Sequence, residues 1–134
     1  MLHQYTLNIS VLLFTFFLST LINVSSGSTY KCNVGLTGVF PDPSGGVACS
    51  SDDGQQHECK YNSCFNNGHK WIPMKTCRVY GSAPNDPNIS AQQCADYVWV
   101  NSNTFTCVNP GGKHYSCYGL TPATTPYMTC SNCQ

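Results

Sequence analysis

The chain has 134 residues, enough for one domain, with ten cysteines and six residues each of Lys+Arg and Asp+Glu. Net charge is zero and only 9% of residues are charged. That balance excludes a nucleic-acid binder held by phosphate contacts, an acidic tail and a polybasic membrane patch.

Residues 1–30 carry no Asp, Glu, Lys or Arg, and contain the apolar run Val11-Leu12-Leu13-Phe14-Thr15-Phe16-Phe17-Leu18. The run is too short for a membrane span and is followed by the small residues Ser25-Ser26-Gly27-Ser28, as at a secretory cleavage site. The reading is a signal peptide over 1–28 and a single secreted domain over 29–134, extracellular, monomeric and off the membrane once the signal is removed. The stretch Cys130-Ser131-Asn132-Cys133-Gln134 reads as neither the hydrophobic tail of a lipid anchor nor a retention tetrapeptide.

All ten cysteines lie after that signal: Cys32, Cys49, Cys59, Cys64, Cys77, Cys94, Cys107, Cys117, Cys130 and Cys133. Past residue 28 the aliphatic side chains are sparse, with two leucines, two isoleucines and seven valines. Burial at about 25 cal/mol per Å² barely offsets backbone ordering at about 1–2 kcal/mol per residue. Disulfides, at about 2–4 kcal/mol each, supply the difference. An even number of cysteines in an oxidising compartment implies full pairing, with the connectivity left open.

Taken along the chain, the sequence leans to strands. Thr76–Gly81, Tyr97–Val100, Thr104–Val108, Lys113–Gly119 and Pro126–Cys130 are short runs rich in Tyr, Val, Thr, Phe or Trp. Asn67-Gly68 and Gly111-Gly112 supply the positive φ of tight hairpin turns. Pro73 demotes Trp71–Met74 to an edge strand. Ser90 followed by Gln93 reads as a capping box, so 90–96 is the helix candidate. Asp52-Asp53-Gly54, Asp42-Pro43 and Asp86-Pro87 read as turns.

Two blocks also align. Cys64-Phe65-Asn66-Asn67-Gly68-His69-Lys70 matches Cys107-Val108-Asn109-Pro110-Gly111-Gly112-Lys113, 43 residues apart, and the Cys32 and Cys77 regions match 45 apart. The expected fold is therefore a small disulfide-rich domain, mainly β, of short antiparallel strands and hairpins. One or two short helices and a two-fold internal repeat, about 32–76 and 77–119, complete it.

Sites are weaker. Cys130-x-x-Cys133 has zinc or redox spacing, but a secreted chain makes structural disulfides the economical reading, so no metal and no cofactor is expected. His69-Lys70 and Lys113-His114 hold the groups an RNA-cleaving acid–base pair would need, though zero net charge attracts a polyanion poorly. The six carboxylates Asp42, Asp52, Asp53, Glu58, Asp86 and Asp96 fall mostly in turn dipeptides, and a glycosidase needs two across a cleft. Trp71 and Trp99 are the sugar-stacking candidates. Asn88-Ile89-Ser90 is the glycosylation sequon of the mature chain.

Tyr30-Lys31-Cys32 places an aromatic-x-Cys directly after the expected cleavage, and Phe105-Thr106-Cys107 and Tyr115-Ser116-Cys117 repeat the pattern. This layout resembles the candidate effectors of rust and powdery-mildew fungi, small cysteine-rich secreted proteins with an aromatic-x-Cys motif after the signal peptide. Mildew members with a ribonuclease-like fold usually carry few cysteines, whereas ten stand here. The resemblance implies a secreted, non-enzymatic interaction protein at a host–microbe interface, with a protein or glycan partner and no nucleic acid. The alternatives are a carbohydrate-binding module and a small secreted hydrolase or ribonuclease.

Overall fold

A computed structural model describes residues 27–101, 104–118 and 127–134. The expected signal peptide falls almost wholly outside them. The described part of the chain is nearly all antiparallel sheet: β1 (Ser28–Lys31), β2 (Gly35–Thr37), β3 (Gly46–Ser50), β4 (Gln56–Lys60), β5 (Cys64–Phe65), β6 (Ile72–Val79), β7 (Ser90–Cys94), β8 (Asp96–Asn101), β9 (Thr104–Val108), β10 (His114–Tyr118) and β11 (Thr129–Cys133). The small disulfide-rich β fold is as expected, with five bridges: Cys32–Cys49, Cys59–Cys133, Cys64–Cys130, Cys77–Cys117 and Cys94–Cys107.

The expected helix is not there. Residues 90–94 form β7, paired with β6 from Ile72↔Cys94 to Cys77↔Ser90. A run this short cannot sustain an isolated helix, and sheet pairing outweighs its propensity. Ser90 Oγ turns to the Cys77 carbonyl (3.5 Å) instead of capping a helical turn. Among the described residues the only helical piece is one 3₁₀ turn, Tyr61–Ser63. Pro73 sits where β7 alone flanks β6, because β10 pairs only with Cys77, Arg78 and Val79; the missing N–H costs no ladder bond there.

The strand order is β1-β11-β4-β3-β2-β8-β9-β10-β6-β7, with β5 added to β11. Outward from the central β2–β8 pair, the two directions match. Leu36↔Cys49 on β2–β3 has its counterpart in Tyr97↔Cys107 on β8–β9. Val47↔Cys59 corresponds to Phe105↔Cys117, and Cys59↔Cys133 to Cys117↔Cys77. The outer pairs share a bulge: Ser28↔Cys133 then Tyr30↔Cys130 on one side, Ser90↔Cys77 then Gln92↔Met74 on the other. Asn132 and Thr76, just before Cys133 and Cys77, both take positive φ (56° and 55°) at that bulge. Bridges Cys32–Cys49 and Cys59–Cys133 thus correspond to Cys94–Cys107 and Cys77–Cys117. Cys64–Cys130 has no counterpart, since Met74 stands where Cys130 does.

This correspondence differs from the expected one. Were 32–76 and 77–119 equivalent, Cys77 would bond Cys94 as Cys32 bonds Cys49; it bonds Cys117. The two matched blocks also turn differently. Asn67-Gly68 is a two-residue turn closed by Asn66 and His69, while Asn109 and Lys113 enclose a longer loop with Gly112 at φ 76°. The first half is instead completed by the C-terminal strand β11, which fills the place that β6 fills in the second.

Buried side chains line the inner face: Leu36, Val47, Ile72, Met74, Tyr97, Phe105, Tyr115 and Met128 among the cystines. Tyr97 joins the halves. Its hydroxyl donates to the Cys32 carbonyl (2.7 Å) and accepts from the Met128 N–H (2.9 Å). A second tie runs from the Asp96 carboxylate on β8 to the Val39 N–H beyond β2 (2.8 Å). The Phe40 ring then covers Gly112, filling the space where a Cβ would stand.

Candidate functional site: the outer face of the second half

Side chains alternate across a strand, and directly paired residues share a face. On β8, β9 and β10 the row Tyr97, Cys107, Tyr115 is buried in the core, with Val79 of β6 continuing that side at its exposed end, so the row Val98, Thr106, Ser116, Arg78 points outward. Tyr118 pairs with Thr104 on the same outer side, and its ring lies 5.9 Å from the Arg78 guanidinium carbon. Arg78 Nε donates to the Asp86 carbonyl (2.9 Å), which fixes the side chain along the surface. Tyr80 follows, with its N–H bonded to the His114 carbonyl (3.0 Å) and 63% of its surface exposed. Val98, Val100 and Tyr118 are exposed as well. The result is a face of aromatic, β-branched and hydroxyl side chains with one cation.

The corresponding face of the first half has different chemistry at the same register positions. Ala48 and Glu58 pair where Thr106 and Ser116 do, and Lys60 stands where Tyr118 does. Gln56 replaces His114 and Gly35 replaces Asp96. The shared framework therefore does not require the aromatic face.

At its upper end the face dips into a groove of about 360 Å³ with Tyr80, Asp96, Val98, Thr106, Val108 and His114 in its walls. Burial raises the Asp96 pKa above its ordinary value, opposed by the N–H groups of Val39, Phe40 and Gly38 and by His114. A second, polar groove of about 700 Å³ lies against Glu58, Lys60, Asn62, Asn132 and Gln134 in the first half. Each groove holds one carboxylate side chain, Asp96 in the smaller and Glu58 in the larger.

The sequence candidates are dispersed. His57 stacks on Tyr30 (centroids 3.4 Å, 10°) and bonds Asp53 (3.0 Å). His69 closes a turn, while His114 lies on β10 in the groove. The two Lys-flanked histidines thus sit on separate elements. Asp42 and Asp53 accept hydrogen bonds within their own turns, chiefly from Ser44 and Ser51, which hold both carboxyls below the usual range. Trp71 is half-buried, with its ring centroid 6.0 Å from that of Tyr61, whereas Trp99 is exposed on β8. Trp71 lies just before β6, and β9 and β10 stand between β6 and β8, so the tryptophans do not share one platform. Asn88 is exposed and its Nδ2 donates to Asp86 Oδ1 (2.8 Å).

Cys130 and Cys133 bond different partners, Cys64 and Cys59, and no described cysteine is free. The close sulfur groups Cys32/Cys49/Cys130 and Cys94/Cys107/Cys117 are therefore cystines, not the thiolates a metal requires. Composition alone missed Arg78, Tyr80, Thr106 and Tyr118. The signal that finds them is the period of two along β8–β10, read once the facing cysteines fix which row is buried.

Compared with known proteins, the chain matches no family model, and no curated protein or solved structure is significantly similar to it.

Proposed function

We propose that this is a secreted, disulfide-framed recognition protein, effector-like at a host–microbe interface, that acts by binding through the outer face of β8, β9, β10 and β6. The observation that carries this reading is the contrast between corresponding faces: Tyr118, Thr106, Ser116 and His114 stand where the first half has Lys60, Ala48, Glu58 and Gln56. Exposed aromatic and Arg side chains on a rigid sheet are the usual anchors of recognition surfaces. Ten cystine sulfurs suit an extracellular site of action, and among the described residues no helix is long and apolar enough to cross a membrane. Glycosylation at Asn88 belongs to the same proposal; its exposed loop before β7 is open to modification.

Cross-linking in the extracellular fluid tests the reading. The wild-type protein should give a saturable adduct that Arg78→Glu with Tyr118→Ala removes and that Glu58→Ser with Lys60→Tyr retains. Equal adducts from both variants would refute it. The carbohydrate alternative draws support from the groove, where Tyr80 stands beside hydroxyl, imidazole and carboxylate groups.

A further inference from the structure

We propose that the groove between Tyr80 and Asp96 is a subsite for one hexose ring of a neutral oligosaccharide, a proposal that rests on the recognition reading and names its ligand. A sugar ring needs an apolar surface for its C–H face and convergent polar groups for its hydroxyls. Val98 and Val108 supply aliphatic wall, and Tyr80, more than half exposed, supplies a ring at the rim. Thr106, His114 and Asp96 supply a hydroxyl, an imidazole and a carboxylate in the same space. The volume, about 360 Å³, lies at the small end of the range for ligand pockets and suits one ring rather than an extended chain.

Charge narrows the class. The carboxylate in the walls is Asp96, and no Lys or Arg lines the groove. Arg78, the cation of this face, is directed away to the Asp86 carbonyl. An anionic ligand would therefore meet a carboxylate without a counter-cation, whereas sugar hydroxyls donate to it in charge-assisted hydrogen bonds. Asp96 is also held in place: one oxygen takes the Val39 N–H at 2.8 Å and the Phe40 and Gly38 N–H groups face the same carboxylate, which leaves about one of its roughly four acceptor sites on a fixed group.

The correspondence between halves gives an independent argument. The first half builds the same registers with Ala48, Ser50, Gln56 and Gly35 in the places of Thr106, Val108, His114 and Asp96. It folds without the hydroxyl and imidazole that Thr106 and His114 bring to the groove, so those two have no framework explanation, whereas Asp96 also ties β8 to the Val39 N–H.

The test uses isotope-labelled full-length secreted protein and amide-resolved NMR titration with hexamers of β-glucan, mannan and chitin, and with a polygalacturonate hexamer as the anionic comparison. A neutral hexamer should move Asp96, Thr106 and His114 saturably. Thr106→Ala with His114→Gln, which installs the first half's own residues, should weaken that binding at least tenfold at an unchanged unfolding midpoint. Glu58→Ser with Lys60→Tyr should leave it intact. Silence toward every neutral hexamer, a response to polygalacturonate alone, or wild-type affinity in the groove variant would overturn the proposal. If the groove is silent while Arg78→Glu with Tyr118→Ala still abolishes the extracellular adduct, the sugar subsite fails and the recognition reading stands.

Discussion

Two buried tyrosine hydroxyls offer a matched comparison. Tyr97 is 1% exposed and its hydroxyl joins the Cys32 carbonyl to the Met128 N–H, at 2.7 and 2.9 Å. Tyr97→Phe keeps the ring and removes that bridge, which leaves a buried acceptor just after β1 and a buried donor just before β11 without that partner. Each such group costs about 1–3 kcal/mol. With part of that recovered by the more apolar ring, the loss should be about 2–4 kcal/mol, or a midpoint lower by roughly 10–20 °C for a domain of this size. Tyr61 is the opposite case. Its hydroxyl is the buried side-chain polar atom without a hydrogen-bond partner among the described residues, and burial, with Asp96 nearby, raises its pKa. Tyr61→Phe removes a desolvation cost and no hydrogen bond, so stability should hold or rise by up to about 1 kcal/mol. Thermal and denaturant unfolding with all bridges intact measures both. Equal losses in the two variants, or a Tyr97→Phe loss below about 0.5 kcal/mol, would refute the reasoning that this hydroxyl ties the halves.

Three further outcomes follow from the same structure. Bridges Cys59–Cys133 and Cys64–Cys130 are nested, spanning 74 and 66 residues, with the Cys77–Cys117 bridge inside both; removing either pair frees a loop of only about eight residues, for about 2.5 kcal/mol in the chain-entropy account, whereas removing both should cost about 6 kcal/mol. Denaturation of the two single-pair variants and the double should show that excess over the sum, and simple additivity would contradict it. Asp96 has a raised pKa, mainly through burial, so the stability linked to it is full below 3.8 and is lost as pH rises through the folded value. Asp96→Asn, which keeps an acceptor for the Val39 N–H, should gain stability relative to wild type as pH rises from 3 to 7; a relative loss over that window would reverse the sign. Ser28 pairs with Cys133, and Gly27 packs so closely on Asn132 that a Cβ would overlap its backbone. The boundary expected from sequence, before Thr29, would remove Ser28 from this pairing; if the leader is cleaved, N-terminal sequencing should find Gly27 or Ser28 first, and a start at Thr29 would show that the Ser28–Cys133 pairing is dispensable.

Strands of the second half are legible because Tyr, Val, Thr and Phe alternate along Tyr97–Val100, Thr104–Val108 and the run to Tyr118. Those of the first half are not. In β3 and β4 the buried positions are Val47, Cys49 and Cys59, and between them stand Ala48, Gln56, Glu58 and Lys60, so the alternation is carried largely by cysteine. Local propensity favoured a helix at Ser90–Asp96, where the β6 partner decided for a strand. The matching blocks at Cys64 and Cys107 obscured the relation that the structure displays, because the strand corresponding to β6 comes last in the chain. Which tryptophan is exposed was equally beyond the sequence: Trp71 meets Tyr61 only through the turn at Tyr61–Ser63. The groove needs four elements in register, with Asp96, Thr106, His114 and Tyr80 each contributed by a different stretch of chain.

The central claim is that binding belongs to one face of a sheet whose two halves share a framework. Reciprocal exchange tests it most directly. Thr106→Ala, Ser116→Glu and Tyr118→Lys give the second half the first half's surface, and Ala48→Thr, Glu58→Ser and Lys60→Tyr do the reverse. Measured by saturable extracellular cross-linking, the first exchange should abolish the adduct while the second preserves it. Retention of the adduct by the first exchange, or its loss only in the second, would contradict the account.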